Sequence, residues 1–160
     1  MEVKHLGKYV NDHLAGSMAA VELLSHLISS NAGTERSRFF VELRKEIVQD
    51  QVALRGLLAR LGFKENMIRK GVAWLSEKFI RVKLSMEDPR GGRLAQLEKL
   101  EALALGIDGK WALWRALSTV ADRVPAVGVM DLSKLEERAV EQRGQVEAVR
   151  LDAAREALAS

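Results

Sequence analysis

The side chains able to do chemistry in this chain are few, and their spacing argues against the usual arrangements. There are three histidines (His5, His13 and His26), no cysteine, and 22 carboxylates. Without thiols there is no thiolate nucleophile, no iron-sulfur cluster and no Cys-based zinc site. No serine or threonine stands at a spacing from the histidines that would build a nucleophile and its base. A di-iron or di-manganese centre in a helical bundle needs glutamates from two helices and Glu-x-x-His motifs from the other two, each motif placing both ligands on one face. The sole Glu-x-x-His runs from Glu2 to His5. Glu22, Glu46 and Glu101 are candidates for a carboxylate-only site, but glutamates in such sequences more often coat the solvated faces of helices. The sequence therefore assigns no catalytic residue, no metal and no cofactor.

Three polar residues stand out because they interrupt apolar stripes. His13 follows Leu6 and Val10, Asp50 lies between Ile47 and Leu54, and Gln142 lies between Ala139 and Val146. A buried polar group needs a partner to offset its desolvation, so these three are expected to form a buried polar cluster. Counting outward from a turn near residues 31–34 brings His13 level with a position close to Asp50. The two are expected to pair, the carboxylate raising the imidazole pKa, as a tie that fixes helix register.

The elements that position these residues follow from composition and punctuation. Aromatic residues make up 5% of the chain, there are two prolines, and Leu, Ala, Glu, Lys and Arg dominate, the residues that lose least entropy in a helix. Breakers fall at Gly33, Gly62, Pro89 with Gly91 and Gly92, and Pro125 with Gly128. Between them, apolar residues recur at steps of three and four. Helices are predicted near 4–30, 35–61, 64–88, 93–123 and 131–158 in a single domain covering 1–160. Thr34 is suited to cap the second helix; Asp131 or Ser133 is suited to start the last, with Ser133 to Glu136 as a capping box. Gly106 and Gly109 predict a bend in the fourth helix.

Two helices joined by a short loop, a connecting segment and two further helices predict an all-α, antiparallel four-helix bundle of ferritin-like layout, the third helix being an additional crossover; an up-and-down five-helix bundle is the main alternative, because stripe spacing does not give topology. Tyr9-Val-Asn-Asp-His-Leu-Ala-Gly-Ser17 and Leu100-Glu-Ala-Leu-Ala-Leu-Gly-Ile-Asp-Gly-Lys-Trp-Ala-Leu-Trp114 resemble uncharacterised bacterial ferritin-like helical-bundle proteins. That resemblance implies the fold and no activity.

A net charge of +3, from 25 basic and 22 acidic side chains, is too small to imply nucleic acid. The third segment is locally basic, with Lys64, Arg69, Lys70, Lys78, Arg81, Lys83, Arg90 and Arg93. It leaves an anionic polymer or membrane surface as one possible partner. No apolar run reaches the roughly 20 residues of a membrane span, and Met-Glu-Val-Lys-His carries charge where a signal peptide needs an apolar stretch. The cytoplasm is the expected compartment. The small residues Ala15, Gly16, Ser17, Ala19 and Ala20 call for something to approach the first helix closely. The leading expectation is a non-enzymatic binding or assembly module, self-associating as a homo-oligomer. A ferritin-like metal or small-molecule binder with a degenerate carboxylate centre is the alternative.

Overall fold

The computed structural model describes residues 3–65 and 92–159. The protein is all-α, with no strand among the described residues. Its helices are α1 (Lys4–Ser30), α2 (Glu35–Arg60), α3 (Gly92–Ser118), the one-turn α4 (Pro125–Gly128) and α5 (Leu132–Leu158). The helix predicted over 64–88 lies outside the described residues except for Lys64 and Glu65, which are not helical.

Local chemistry sets the helix ends. Gly33 turns the chain between α1 and α2 at φ +80°, a left-handed conformation that a side chain disfavours. Thr34 then caps α2, its side chain accepting from the Ser37 backbone N–H. Asp131, not Ser133, caps α5 by accepting from the Lys134 N–H, and Glu136 accepts from the Ser118 hydroxyl instead of closing a capping box. Beyond α2, Phe63 lies against Gly7 so closely that a Cβ there would stand 2.6 Å from its ring. Helix α3 runs unbroken through Gly106 and Gly109 and stops at Ser118, short of the predicted residue 123.

Side-chain contacts fix the directions of the helices. Between α1 and α2, the Ser37 hydroxyl donates to the Ile28 carbonyl, Arg44 to the Ser25 hydroxyl and Gln51 to the Ser17 hydroxyl, so the two helices are antiparallel. Between α3 and α5, Glu101 meets Arg150, Asp108 meets Arg143 and Lys110 meets Gln142, again antiparallel. Helix α2 meets α5 through Arg36 with Glu156 and Asp50 with Arg138. Helices α2 and α3 therefore run parallel, and the chain leaves one end of the bundle after α2 and enters α3 at the other. No helix among the described residues is long and apolar enough to cross a membrane.

The apolar stripes meet as two cores stacked along the bundle. One, near the α1–α2 turn, gathers Leu23, Leu24, Leu27, Phe40, Leu43, Leu100 and Leu103. The other gathers Val10, Leu14, Leu54, Leu57, Leu113, Trp114 and Val127. Leu100 is fully buried, whereas Leu105 on the same helix is 44% exposed. Leu100→Ala is expected to lower stability in urea unfolding by about 2–5 kcal/mol, and Leu105→Ala by no more than about 0.5 kcal/mol. Equal losses would mean that this face of α3 is wrongly assigned.

Candidate functional site

Where the two cores abut, each long helix carries a polar residue: Ser17 on α1, Asp50 and Gln51 on α2, Lys110 on α3 and Gln142 on α5. Core residues flank each of them, as Leu14 and Ala20 do on α1, Ile47 and Leu54 on α2, and Ala139 and Val146 on α5. The helical step of three to four residues thus brings polar positions from four helices to one level.

Asp50 is the centre of this layer and is 2% exposed. Its Oδ2 accepts from the Lys110 Nζ at 2.6 Å, and its Oδ1 accepts from the Arg138 guanidinium. Lys110 also donates to the Gln142 side-chain carbonyl, whose amide in turn donates to Glu46 at 2.7 Å. Arg138 donates its other terminal nitrogen to Gln49 at 3.0 Å. Two cations around one buried carboxylate satisfy both oxygens, and Glu46 supplies the second negative charge. Burial pushes the Lys110 ammonium below its ordinary pKa; Asp50 opposes that shift, Arg138 adds to it and Glu46 also opposes it.

Beside this network lies a partly enclosed cavity of about 40 Å³, walled by α1, α2 and α3. Asp50, Lys110 and His13 contribute to its wall, together with Ile47, Leu54, Ile107, Leu113, Gly16, Gly106 and Gly109. A Cβ added at Gly16 or Gly106 would meet no heavy atom within 4 Å. The small residues of α1 therefore face open space at Gly16, where close approach of a neighbour was expected.

The expectation built on His13 and Asp50 is corrected in the direction of the histidine's pKa shift, and Asp50 has partners that the sequence did not suggest. Asp50 turns toward α3 and α5, where Lys110 and Arg138 take its oxygens, while the tie from α2 to α1 is made by the adjacent Gln51 through Ser17. The His13 pKa is lowered, not raised: burial dominates, and Asp12 opposes it only in part. The Tyr9 ring lies edge-on to His13 at 4.7 Å. The structure joins Asp50 and Gln142 through Lys110, with His13 sharing the cavity wall. The sequence reading missed Lys110 and Arg138, which look like surface cations in a helical stripe; the signal available was only that a buried Asp needs a cation.

No family model, no curated protein and no solved structure matches the chain. The site must therefore be read from its own geometry. Glu22 is exposed, Glu46 accepts from Gln142, and Glu101 lies 3.7 Å from Arg150, so the three glutamates do not gather. Among the described residues no group of three or more His, Cys, Asp or Glu is placed to hold a metal ion.

Two outcomes follow for the polar layer. Asp50→Asn removes the charge that Lys110 and Arg138 share inside the bundle, and a loss of about 3–5 kcal/mol is expected in chemical unfolding; a loss below 1 kcal/mol would mean the cations find other partners. For His13, the unfolded chain takes up its proton first. Stability is intact above the unfolded pKa, near 6.5, and declines as pH falls through it toward the lower folded value. His13→Gln is expected to flatten that decline in stability curves measured between pH 7 and 5, and identical slopes in the two proteins would remove His13 from the explanation.

Proposed function

We propose that this protein is a non-enzymatic binding bundle that takes one small, mainly apolar molecule into the cavity between α1, α2 and α3. The observation that carries the proposal is the pair of helix-interior glycines, Gly16 and Gly106, standing beside empty space. Glycine within a helix costs about 1 kcal/mol relative to alanine, and at these positions no neighbour requires its small size. What its absent side chain leaves is room. A mostly apolar pocket with a few convergent polar groups is the usual form of a small-molecule site. Asp50, already saturated by two cations, suits a group that orients and holds more than one that turns over.

The ferritin-like resemblance belongs to the same proposal, because residues 9–17 and 100–114 supply much of the cavity wall: His13, Gly16 and Ser17 from the first, Gly106, Ile107, Gly109, Lys110 and Leu113 from the second. The order of helices, with α2 and α3 parallel, supports that layout. A cytoplasmic setting remains part of the proposal. Exposed Leu105, Val140 and Leu151 favour self-association as a second reading.

Titration with xenon, followed by carbon-proton NMR of the methyl groups, is the direct test. Shifts confined to Ile47, Leu54, Ile107 and Leu113 are expected. Gly106→Ala is expected to raise stability by up to about 1 kcal/mol while weakening xenon binding at least about tenfold. Absence of saturable methyl shifts in the unaltered protein would overturn the proposal. Native mass spectrometry of the same sample counts subunits, and a strictly monomeric spectrum at micromolar concentration would end the second reading.

A further inference from the structure

Among the residues shared by the cavity wall and the polar layer, Lys110 carries an amine. Lys110 lines the cavity, its side chain is 12% exposed, and its Nζ sits 2.6 Å from Asp50. We propose that Lys110 is a covalent anchor for short aldehydes, forming an imine with a carbonyl compound that enters the cavity. This inference rests on the cavity being a ligand site and names the chemical class of its ligand.

Three features support it. The volume, about 40 Å³, is small: a single water needs roughly 10–15 Å³, so the space suits a chain of only about two to four heavy atoms. Such a molecule offers little apolar area, and a reversible bond supplies retention that burial alone does not. The carboxylate partner is also prepared for the chemistry. Arg138 keeps hold of Asp50 through the other oxygen, so the buried acid stays paired while Lys110 gives up a proton and attacks. Lastly, desolvation favours the neutral amine, as in lysines that form Schiff bases.

The step balances without an added reagent. The Lys110 ammonium passes one proton to Asp50, and the free amine attacks the carbonyl carbon. The carbon-oxygen π pair moves to oxygen, which takes one of the two protons left on nitrogen to give a carbinolamine, and Asp50 returns its proton to that hydroxyl as it leaves. Loss of water, carrying the aldehyde oxygen and two protons of the original ammonium, breaks the carbon-oxygen bond and leaves a protonated imine. That iminium carries the same single positive charge as the ammonium it replaces, so the counter-ion arrangement with Asp50 is conserved.

The test is reductive trapping of the intact protein with propanal and cyanoborohydride at neutral pH, followed by peptide mapping. The expected result is one propyl mark at Lys110, acquired at least tenfold faster than at any other lysine. Lys110→Arg should lose the mark. Because Lys110→Arg also alters the pairing of buried Asp50, a second variant is needed: Gly106→Ala, which keeps the amine and narrows the cavity, should slow labelling at least fivefold. Marks spread evenly over the lysines would overturn the inference, as would a Lys110 mark indifferent to Gly106→Ala. Methyl shifts with xenon or propanal but no trapped Lys110 would leave the cavity proposal standing and remove the anchor; neither shifts nor trapping would remove both.

Discussion

The fold depends on how one carboxylate is partnered inside it. Asp50 sits where the apolar stripe of α2 would otherwise continue, and taking an unpaired carboxylate out of water is prohibitively unfavourable. The partners it receives come from two other helices, Lys110 on α3 and Arg138 on α5. Sliding any one of these helices by a turn, about 5.4 Å, would separate the charges. Apolar ridges tolerate several nearly equivalent registers, whereas this triad tolerates one, which is the best attested use of buried polar groups.

The same layer divides the bundle into two apolar cores. Toward the α1–α2 turn, Phe40 and leucines from three helices fill the space; toward the other end, Trp114 and Val127 do so, with α4 closing the corner. The layer also links helices distant in sequence. Ser17 and Gln51 join the first pair, Lys110 and Gln142 the second, and Asp50 and Glu46 connect the pairs. Packing supplies the magnitude of stability and the polar contacts supply its uniqueness.

Much of this fold is legible in the sequence, because caps and stripes act locally. Thr34 caps where its type says it should, and Gly33 takes the left-handed conformation that a helix end asks for. On α2 the buried Phe40, Leu43, Ile47, Asp50, Leu54 and Leu57 follow steps of three and four, whereas Gln51 and Leu58 are buried beside that stripe. Partner choice was not legible. Loop counting placed His13 near Asp50, yet the register observed through Ser17 and Gln51 sets His13 level with a position nearer Leu54. Lys110 and Arg138 were hidden for a further reason: long cationic side chains usually reach outward along a helix, and only three-dimensional packing shows which ones turn in. The open space at Gly16 and Gly106 is invisible in the sequence, since glycine is equally consistent with a neighbour's close approach.

That open space also gives the molecule a response to hydrostatic pressure. Internal voids vanish when a chain unfolds, so the unfolded state occupies less volume and compression favours it in proportion to the void lost. Here the void lies at the level where the two cores abut and beside the buried charges, whose exposure further contracts the surrounding water. Squeezing the protein therefore acts at its waist, beside Asp50, Lys110 and Gly106, before it acts on the leucine-rich ends.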